Sequence, residues 1–214
     1  MIEHMLLGLR RTSSIERVGM SRSKPDFGTY HHSNAKGSEK TRTMVKHMFI
    51  DAFGTLPFAR NKSLRILDVG CGLGFLSCVA AEYYSRALVT GIDLFDHPSL
   101  KDSSLSKARE NAEILGLSER IKFRKADVFN VKFGGDKFDV IISSLVFHNF
   151  GRKRFDAYSR LASWTSPSSF VVMGDLFFHR KADLKQLSTF FRVVKEIEPA
   201  GRFRAHRVFV LSKA

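Results

Sequence analysis

The sequence predicts an α/β fold: one domain with a doubly wound, mostly parallel seven-stranded sheet and a C-terminal antiparallel hairpin. Three observations carry that prediction. From residue 64 onward, short apolar runs alternate with segments of helical spacing, which is the pattern of βαβ units. One of the runs opens into the glycine-rich stretch "ILDVGCGLGFLS" (66–77), an economical strand, turn and helix. The last two runs are joined by the short link "PAGRFRA", enough for a hairpin but not for the long crossover a parallel pair needs.

Taken in order, residues 1–37 are rich in Ser, Arg, Gly and His without a sustained period, and read as a flexible, basic N-terminal arm. Met5 and Met20 are alternative starts, and "MIEHMLLGLRR" is a poor secretion signal because its arginines follow a very small apolar patch. The catalytic-size domain is expected over 38–214. Met44, Val45, Met48, Phe49 and Phe53 recur at helical spacing, so a helix starts near Ser38 and ends near Gly54-Thr55-Leu56-Pro57. Strands follow at 64–69, 87–92, 121–125, 138–144 and 169–174, with helices near 74–84, 103–116, 151–164 and 180–191. The hairpin is formed by "RVVKEIE" (192–198) and "HRVFVLS" (206–212).

Of the 214 residues, 35 are Lys or Arg and 21 are Asp or Glu, a net charge of +14. The excess sits at the ends: 8 basic against 4 acidic residues in 1–42, and 13 against 5 in 151–214. Such ends attract a polyanion such as RNA, although charge alone does not say which one. No apolar run approaches the roughly 18 residues of a membrane span, so no membrane partner is expected. The two cysteines, Cys71 and Cys78, make neither a disulfide framework nor, with their neighbours, a metal site. A reducing cytoplasm is the default compartment.

The glycine turn allows close approach of a ligand to the backbone, but it fits neither phosphate fingerprint. Counting from Gly70, the third glycine of a dinucleotide site falls at 75, where Phe75 stands, and no Gly-Lys-Ser/Thr follows. An acid, Asp68, precedes the turn; it repels a pyrophosphate and suits an ammonium group.

On these residues the sequence resembles the class I S-adenosylmethionine-dependent methyltransferases across roughly 40–214. "LDVGCGLGF" looks like the first motif of that family, "VTGIDL" ends a second strand at Asp93, and "KADVFN" places Asp127 after the third. The resemblance implies S-adenosylmethionine as cofactor. It implies that Asp68, Gly70, Cys71, Gly72 and Gly74 line the methionyl part and the sugar, with Asp68 facing or organising the cationic end. It implies Asp93 and Leu94 at the ribose, Asp127 and Val128 at the adenine, with Leu94 or Phe129 as its cover, and Ser144 at the exit of the fourth strand. From the residues alone, Asp93 also suits a helix cap and Asp127 a turn.

The acceptor end is less explicit. The stretch after the fourth strand, Ser143 to Phe150, lacks the Asn/Asp-Pro-Pro-aromatic signature of enzymes that methylate base or glutamine amino groups, and it has no cysteine. His148 is the candidate general base, since an imidazole titrates near neutrality; it also suits a loop or cap role. Asn149 suits a helix cap near Gly151 or an acceptor contact. Asp175 after the fifth strand is the second candidate catalytic residue, with an ion pair to Arg180 as its structural alternative. Tyr30, His31 and His32 belong either to exposed surface or to a cover over the cofactor. The cluster Phe177-Phe178 and Phe190-Phe191 lines either an apolar acceptor pocket or the helix-to-sheet core.

The leading expectation is methyl transfer to an O or N acceptor on a small molecule. The alternative acceptor is RNA, gripped by the basic ends through Arg152, Lys153, Arg154, Arg202, Arg204 and Arg207. A third reading is a non-catalytic S-adenosylmethionine-binding partner subunit, which an intact cofactor motif disfavours.

Overall fold

The computed structural model describes residues 23–199 and 205–214. Seven strands form one sheet: β1 (Arg65–Val69), β2 (Leu88–Asp93), β3 (Ile121–Lys125), β4 (Phe138–Ser144), β5 (Thr165–Leu176), β6 (Phe191–Ile197) and β7 (His206–Lys213). Their order is β3-β2-β1-β4-β5-β7-β6. The first five are parallel, and β7 inserts antiparallel between β5 and β6. Every strand expected from the apolar runs is present.

Helices α1 (Ala35–Phe53), α2 (Phe75–Tyr83), α3 (Leu105–Ile114), α4 (Arg154–Ser163) and α5 (Arg180–Leu187) pack on the sheet. Alternation along β4 divides the core: Val140 and Ile142 join the layer under α1, α2 and α3, while Ile141 joins the layer under α4 and α5. Both faces are covered, which is why the parallel strands read as nearly continuous apolar runs.

Four boundaries differ most from the expectation; one is the end of α5, which stops at Leu187 rather than near 191 because Phe191 already pairs with Lys213 in the sheet. α1 begins at Ala35 rather than Ser38, because the Asn34 side chain accepts a hydrogen bond from the Gly37 amide (2.8 Å) and caps the helix. The first turn has no large apolar residue, so spacing alone misses it. Gly37 therefore belongs to α1, and residues 23–34 lie ahead of it; the rest of the basic arm, the alternative starts and the N-terminal apolar patch fall outside the described residues. β5 starts at Thr165, four residues early, where Ser169 bonds the Phe138 carbonyl (2.7 Å) and the register with β4 shifts. Between β4 and α4 stands a 3₁₀ segment, Phe147–Lys153, kinked at Gly151 (φ 54, ψ −130), and α4 itself begins only at Arg154.

The chain runs outward from β1 to β3 and returns to β4, so the strand order reverses between β1 and β4. In an open α/β sheet, that reversal leaves a crevice outside the C-terminal strand ends. Among the described residues, no helix is long and apolar enough to cross a membrane.

Candidate functional site

The glycine turn between β1 and α2 has little room for phosphate. The amides of Gly70 and Cys71 both donate to the Ile92 carbonyl (2.8 and 3.1 Å), that of Gly72 to Asp93 Oδ2 (2.9 Å), and that of Gly74 to the Cys71 carbonyl (2.8 Å). The start of α2 is also occupied. Asp68, 1% exposed, accepts the Ser77 hydroxyl (2.6 Å) and faces the Ser77 amide. Burial pushes the Asp68 carboxyl up to about 7; the Ser77 hydrogen bonds oppose this and the charge of Asp93 adds to it. An anion at this helix terminus would have to compete with a built-in carboxyl.

The glycines are required by packing. Gly70 and Gly74 have φ of 72° and 84°. A Cβ on Gly70 would lie 2.3 Å from a Val146 methyl, and one on Gly74 would lie 2.6 Å from the Phe123 ring. Gly70 is thus the contact between the turn and the exit of β4.

Asp93 ends β2 and is half-buried, with Oδ2 taking the Gly72 amide and Oδ1 the Phe95 amide (2.7 Å). It caps no helix; Ser104 caps α3. Each carboxylate oxygen keeps a further lone pair for a donor such as a ribose hydroxyl. Asp127, after β3, accepts the Phe129 amide (3.0 Å) and the Asn130 side chain (2.5 Å), the turn role its residue type suggested. Three carboxyls thus stand at the ends of β1, β2 and β3. This donor-seeking set fits a ligand carrying an ammonium, a diol and an amino group better than one carrying phosphates. Leu94 is 41% exposed beside Asp93, whereas Val128 and Cys71 are buried. Burial pushes the Cys71 thiol well above its ordinary range, so it is a neutral packing group. Phe129 is half-buried, edge-on to Phe150 at 5.1 Å. Ser144 pairs with Gly174 at the end of β4, and the next residue, Leu145, bends the chain with φ 58°.

That bend delivers the 3₁₀ helix to β5. Asp175, 2% exposed, accepts the Phe147 amide (2.7 Å), the His148 amide (3.3 Å) and the Leu176 amide (2.7 Å). Its Oδ1 is also 2.5 Å from His148 Nδ1. The two catalytic candidates are therefore one dyad. With Nδ1–H directed at the buried carboxylate, Nε2 is the ring nitrogen left to accept a proton. Arg180 is not the partner of Asp175; it pairs with Glu196 instead. Asn149 caps no helix, and its side chain reaches the Leu145 carbonyl (3.4 Å). The phenylalanine cluster also divides: Phe177 and Phe191 are buried in the core, Phe190 is half-buried, and Phe178 is 67% exposed.

Several residues of this site carried no sequence signal. Asp183 on α5 is buried and accepts Arg154 Nε (2.6 Å) and the Tyr158 hydroxyl (3.0 Å), while Arg154 also bonds the Gly151 carbonyl (2.5 Å). Arg154 is thereby a structural clamp on the helix carrying His148. Arg207 is likewise engaged, with Glu196 and Glu198 (3.2 and 3.3 Å). Arg202 and Arg204 lie outside the described residues. His206, buried at the start of β7, is pushed down to about 4 by burial; the charge of Asp175 opposes that shift, and His206 stays neutral near the dyad. Among the described residues, no group of three or more His, Cys, Asp or Glu side chains can hold a metal ion. A surface depression of about 590 Å³ near Asp51, Arg60, Tyr83 and Glu196 includes none of the site residues.

A seven-stranded sheet of this order, with a glycine turn and acids at three successive strand ends, defines the class I methyltransferase architecture. Residues 60–189 match the family model described as a methyltransferase domain, and the chain belongs to that S-adenosylmethionine-dependent family. It is similar to the ribosomal protein L11 methyltransferase of Ruminiclostridium cellulolyticum, 25% identical over 119 residues, covering 56% of this chain and 34% of that protein. It is also similar to a malonyl-[acyl-carrier protein] O-methyltransferase of Geobacter sulfurreducens, 27% identical over 169 residues, covering 77% and 58%. The chain spans about a third of the length of the first relative and over half of the second. In fold it resembles magnesium protoporphyrin IX methyltransferase from Synechocystis PCC 6803, solved with bound SAM, at a TM-score of 0.61 and 22% identity, covering 82% of this chain and 79% of that one.

Proposed function

We propose that this chain methylates an O or N acceptor that loses a proton, with His148 as general base and a small molecule as acceptor. The observation that carries the reading is the His148–Asp175 contact of 2.5 Å, with Asp175 buried and His148 one-fifth exposed. A buried carboxylate that fixes the imidazole tautomer and leaves Nε2 as the accepting nitrogen is an arrangement for taking a proton. Bound S-adenosylmethionine supplies an electrophilic methyl group and a neutral thioether leaving group. Asp93 would hold the ribose hydroxyls, Asp127 the adenine amino group and Asp68 the ammonium, with the turn from Gly70 to Gly74 and Leu94, Val128 and Ser144 around them. These residues orient and desolvate, and they form no covalent bond.

A small acceptor is favoured because Arg154, Arg180 and Arg207, three of the cations near this end, are already paired to carboxylates. RNA is the second reading, supported by Arg152 and Lys153, both exposed at the end of the helix that carries His148. The deciding experiment incubates purified protein and methyl-labelled S-adenosylmethionine with a host-like extract, then separates RNA, protein and small molecules. Label in the small-molecule fraction, reduced in His148→Ala, supports the first reading. Label in RNA that is lost after RNase treatment and at moderate salt overturns it in favour of the second.

A further inference from the structure

We propose that Asn111 latches a strap, residues 26–30, over the glycine turn, and that this latch sets how long S-adenosylmethionine stays bound. The inference rests on the cofactor reading above, but its parts are independent of the acceptor. Asn111 lies on α3 and is 1% exposed. Its Nδ2 donates to the Leu73 carbonyl in the turn (3.0 Å) and to the Asp26 carbonyl (2.9 Å), while its Oδ1 accepts the Asp26 amide (2.8 Å). One amide side chain therefore joins three segments of the chain, using both donor hydrogens and one acceptor site.

The strap lies on the turn in a stacked layer. Phe27 packs edge-on against Phe75, the first residue of α2, at 5.3 Å between centroids. A Cβ on Gly28 would lie 2.9 Å from Leu73 Cδ1 and 3.2 Å from Leu100 Cδ1, and one on Gly72 would lie 2.8 Å from Leu100 Cδ2. Gly72 in turn donates its amide to Asp93, the candidate ribose ligand (2.9 Å). Strap, Leu100, Gly72 and Asp93 thus form a continuous path of contacts.

Outside the apolar layer, polar ties fasten the strap. Lys107 pairs with Asp26 (2.5 Å), and Arg42 on α1 bonds the Gly28 carbonyl (2.8 Å). The Tyr30 amide bonds Ser38 (3.0 Å), and the next amide, that of His31, bonds the Ser99 carbonyl (2.8 Å). A short segment held mainly by partly exposed hydrogen bonds opens at lower free energy than the sheet beneath it. The buried Asn111 bonds are the ones that tie this opening to the turn.

The test follows dissociation of S-adenosylmethionine from the full chain after adding excess S-adenosylhomocysteine. Asn111→Ala removes the latch, and Gly28→Ala lifts the strap by pressing a Cβ on the Leu73 and Leu100 side chains while leaving the Asn111 side chain unchanged. Each is expected to raise the dissociation rate about tenfold, with association changed far less, on the scale of one or two hydrogen bonds. The double variant should dissociate no faster than the quicker single one, since both break one device. A dissociation rate in Gly28→Ala equal to that of the wild type, or multiplying effects in the double variant, overturns the proposal. Amide exchange without cofactor provides a second readout: Gly28→Ala should speed exchange at Gly72 as well as at Asp26. Fast exchange at Asp26 with Gly72 unchanged overturns the coupling even if the cofactor binds as expected. A wild-type chain that binds no S-adenosylmethionine overturns the cofactor reading and the residence-time claim together, whatever the exchange shows.

Discussion

At the C-terminal edge of the sheet, the half built on β1, β2 and β3 and the half built on β4, β5 and β7 are made of different materials. The first is backbone. Turn amides are satisfied by the Ile92 carbonyl, the Cys71 carbonyl and Asp93, and glycines fit against Val146, Leu100 and Phe123. The second is buried charge: Asp175 organises His148 and two further amides, and Asp183 collects Arg154 and Tyr158. A backbone site tolerates many side chains but few changes at its glycines. A buried-charge site depends on each of its partners, because an unpaired charge in the interior is costly.

The largest expected effect separates the halves by function. His148→Ala should slow methyl transfer about 10²- to 10⁴-fold, the range for losing a general base, while S-adenosylmethionine affinity stays within about twofold. Single-turnover label transfer and calorimetry measure the two quantities; equal loss in both would merge the halves. Next, Arg154→Ala should destabilise the fold by about 3 kcal/mol, since it leaves the Asp183 carboxylate buried with only the Tyr158 hydroxyl. Denaturant melting checks this, and a change below about 1 kcal/mol would mean that the acceptor half does not depend on its buried charge. Gly70→Ala tests the seam. Its φ of 72° and the 2.3 Å approach to Val146 predict a loss of about 2 kcal/mol, partly recovered by adding Val146→Ala.

The same contrast explains what could be read from the sequence. Asp68, Gly70, Gly72, Gly74 and Asp93 stand out because the end of one strand, a tight turn and the end of the next strand lie within 26 contiguous residues, 68–93. The apolar alternation that marks those strands also gave their limits to within a residue or two. His148 and Asp175 were both recognisable as candidates, but not as partners, since 27 positions separate them and no period links them. Asp183 and Asn111 were invisible for a related reason: on α5 and α3 they occupy positions where a polar residue normally faces water, and only tertiary packing makes them buried hubs. Formal charge likewise could not show that Arg154 pairs with Asp183 on α5, or that Arg207 pairs with Glu196 on the neighbouring hairpin strand.

The smallest expected effect concerns pH and the one buried carboxyl in the backbone half. Asp68 has no cation beside it, only Ser77, and burial raises it from the ordinary carboxylate range to about 7. The folded chain therefore holds this proton more tightly than the unfolded chain. The stabilisation is complete below the unfolded value near 4 and is lost as pH rises through about 7. Between pH 6 and 8 this proton alone should lower stability by about 1.4 kcal/mol, read as a fall in the denaturant midpoint. Asp68→Asn, which cannot titrate, should flatten that slope. Saturating S-adenosylmethionine should flatten it too if its ammonium lies near Asp68, because a cation there favours the ionised carboxylate. Binding would then release a proton near pH 6.5, visible as a dependence of the calorimetric heat on the ionisation enthalpy of the buffer. A slope that survives in the variant belongs to other groups. A slope lost in the variant but unchanged by the cofactor would place the ammonium elsewhere and leave Asp68 as a cap for α2.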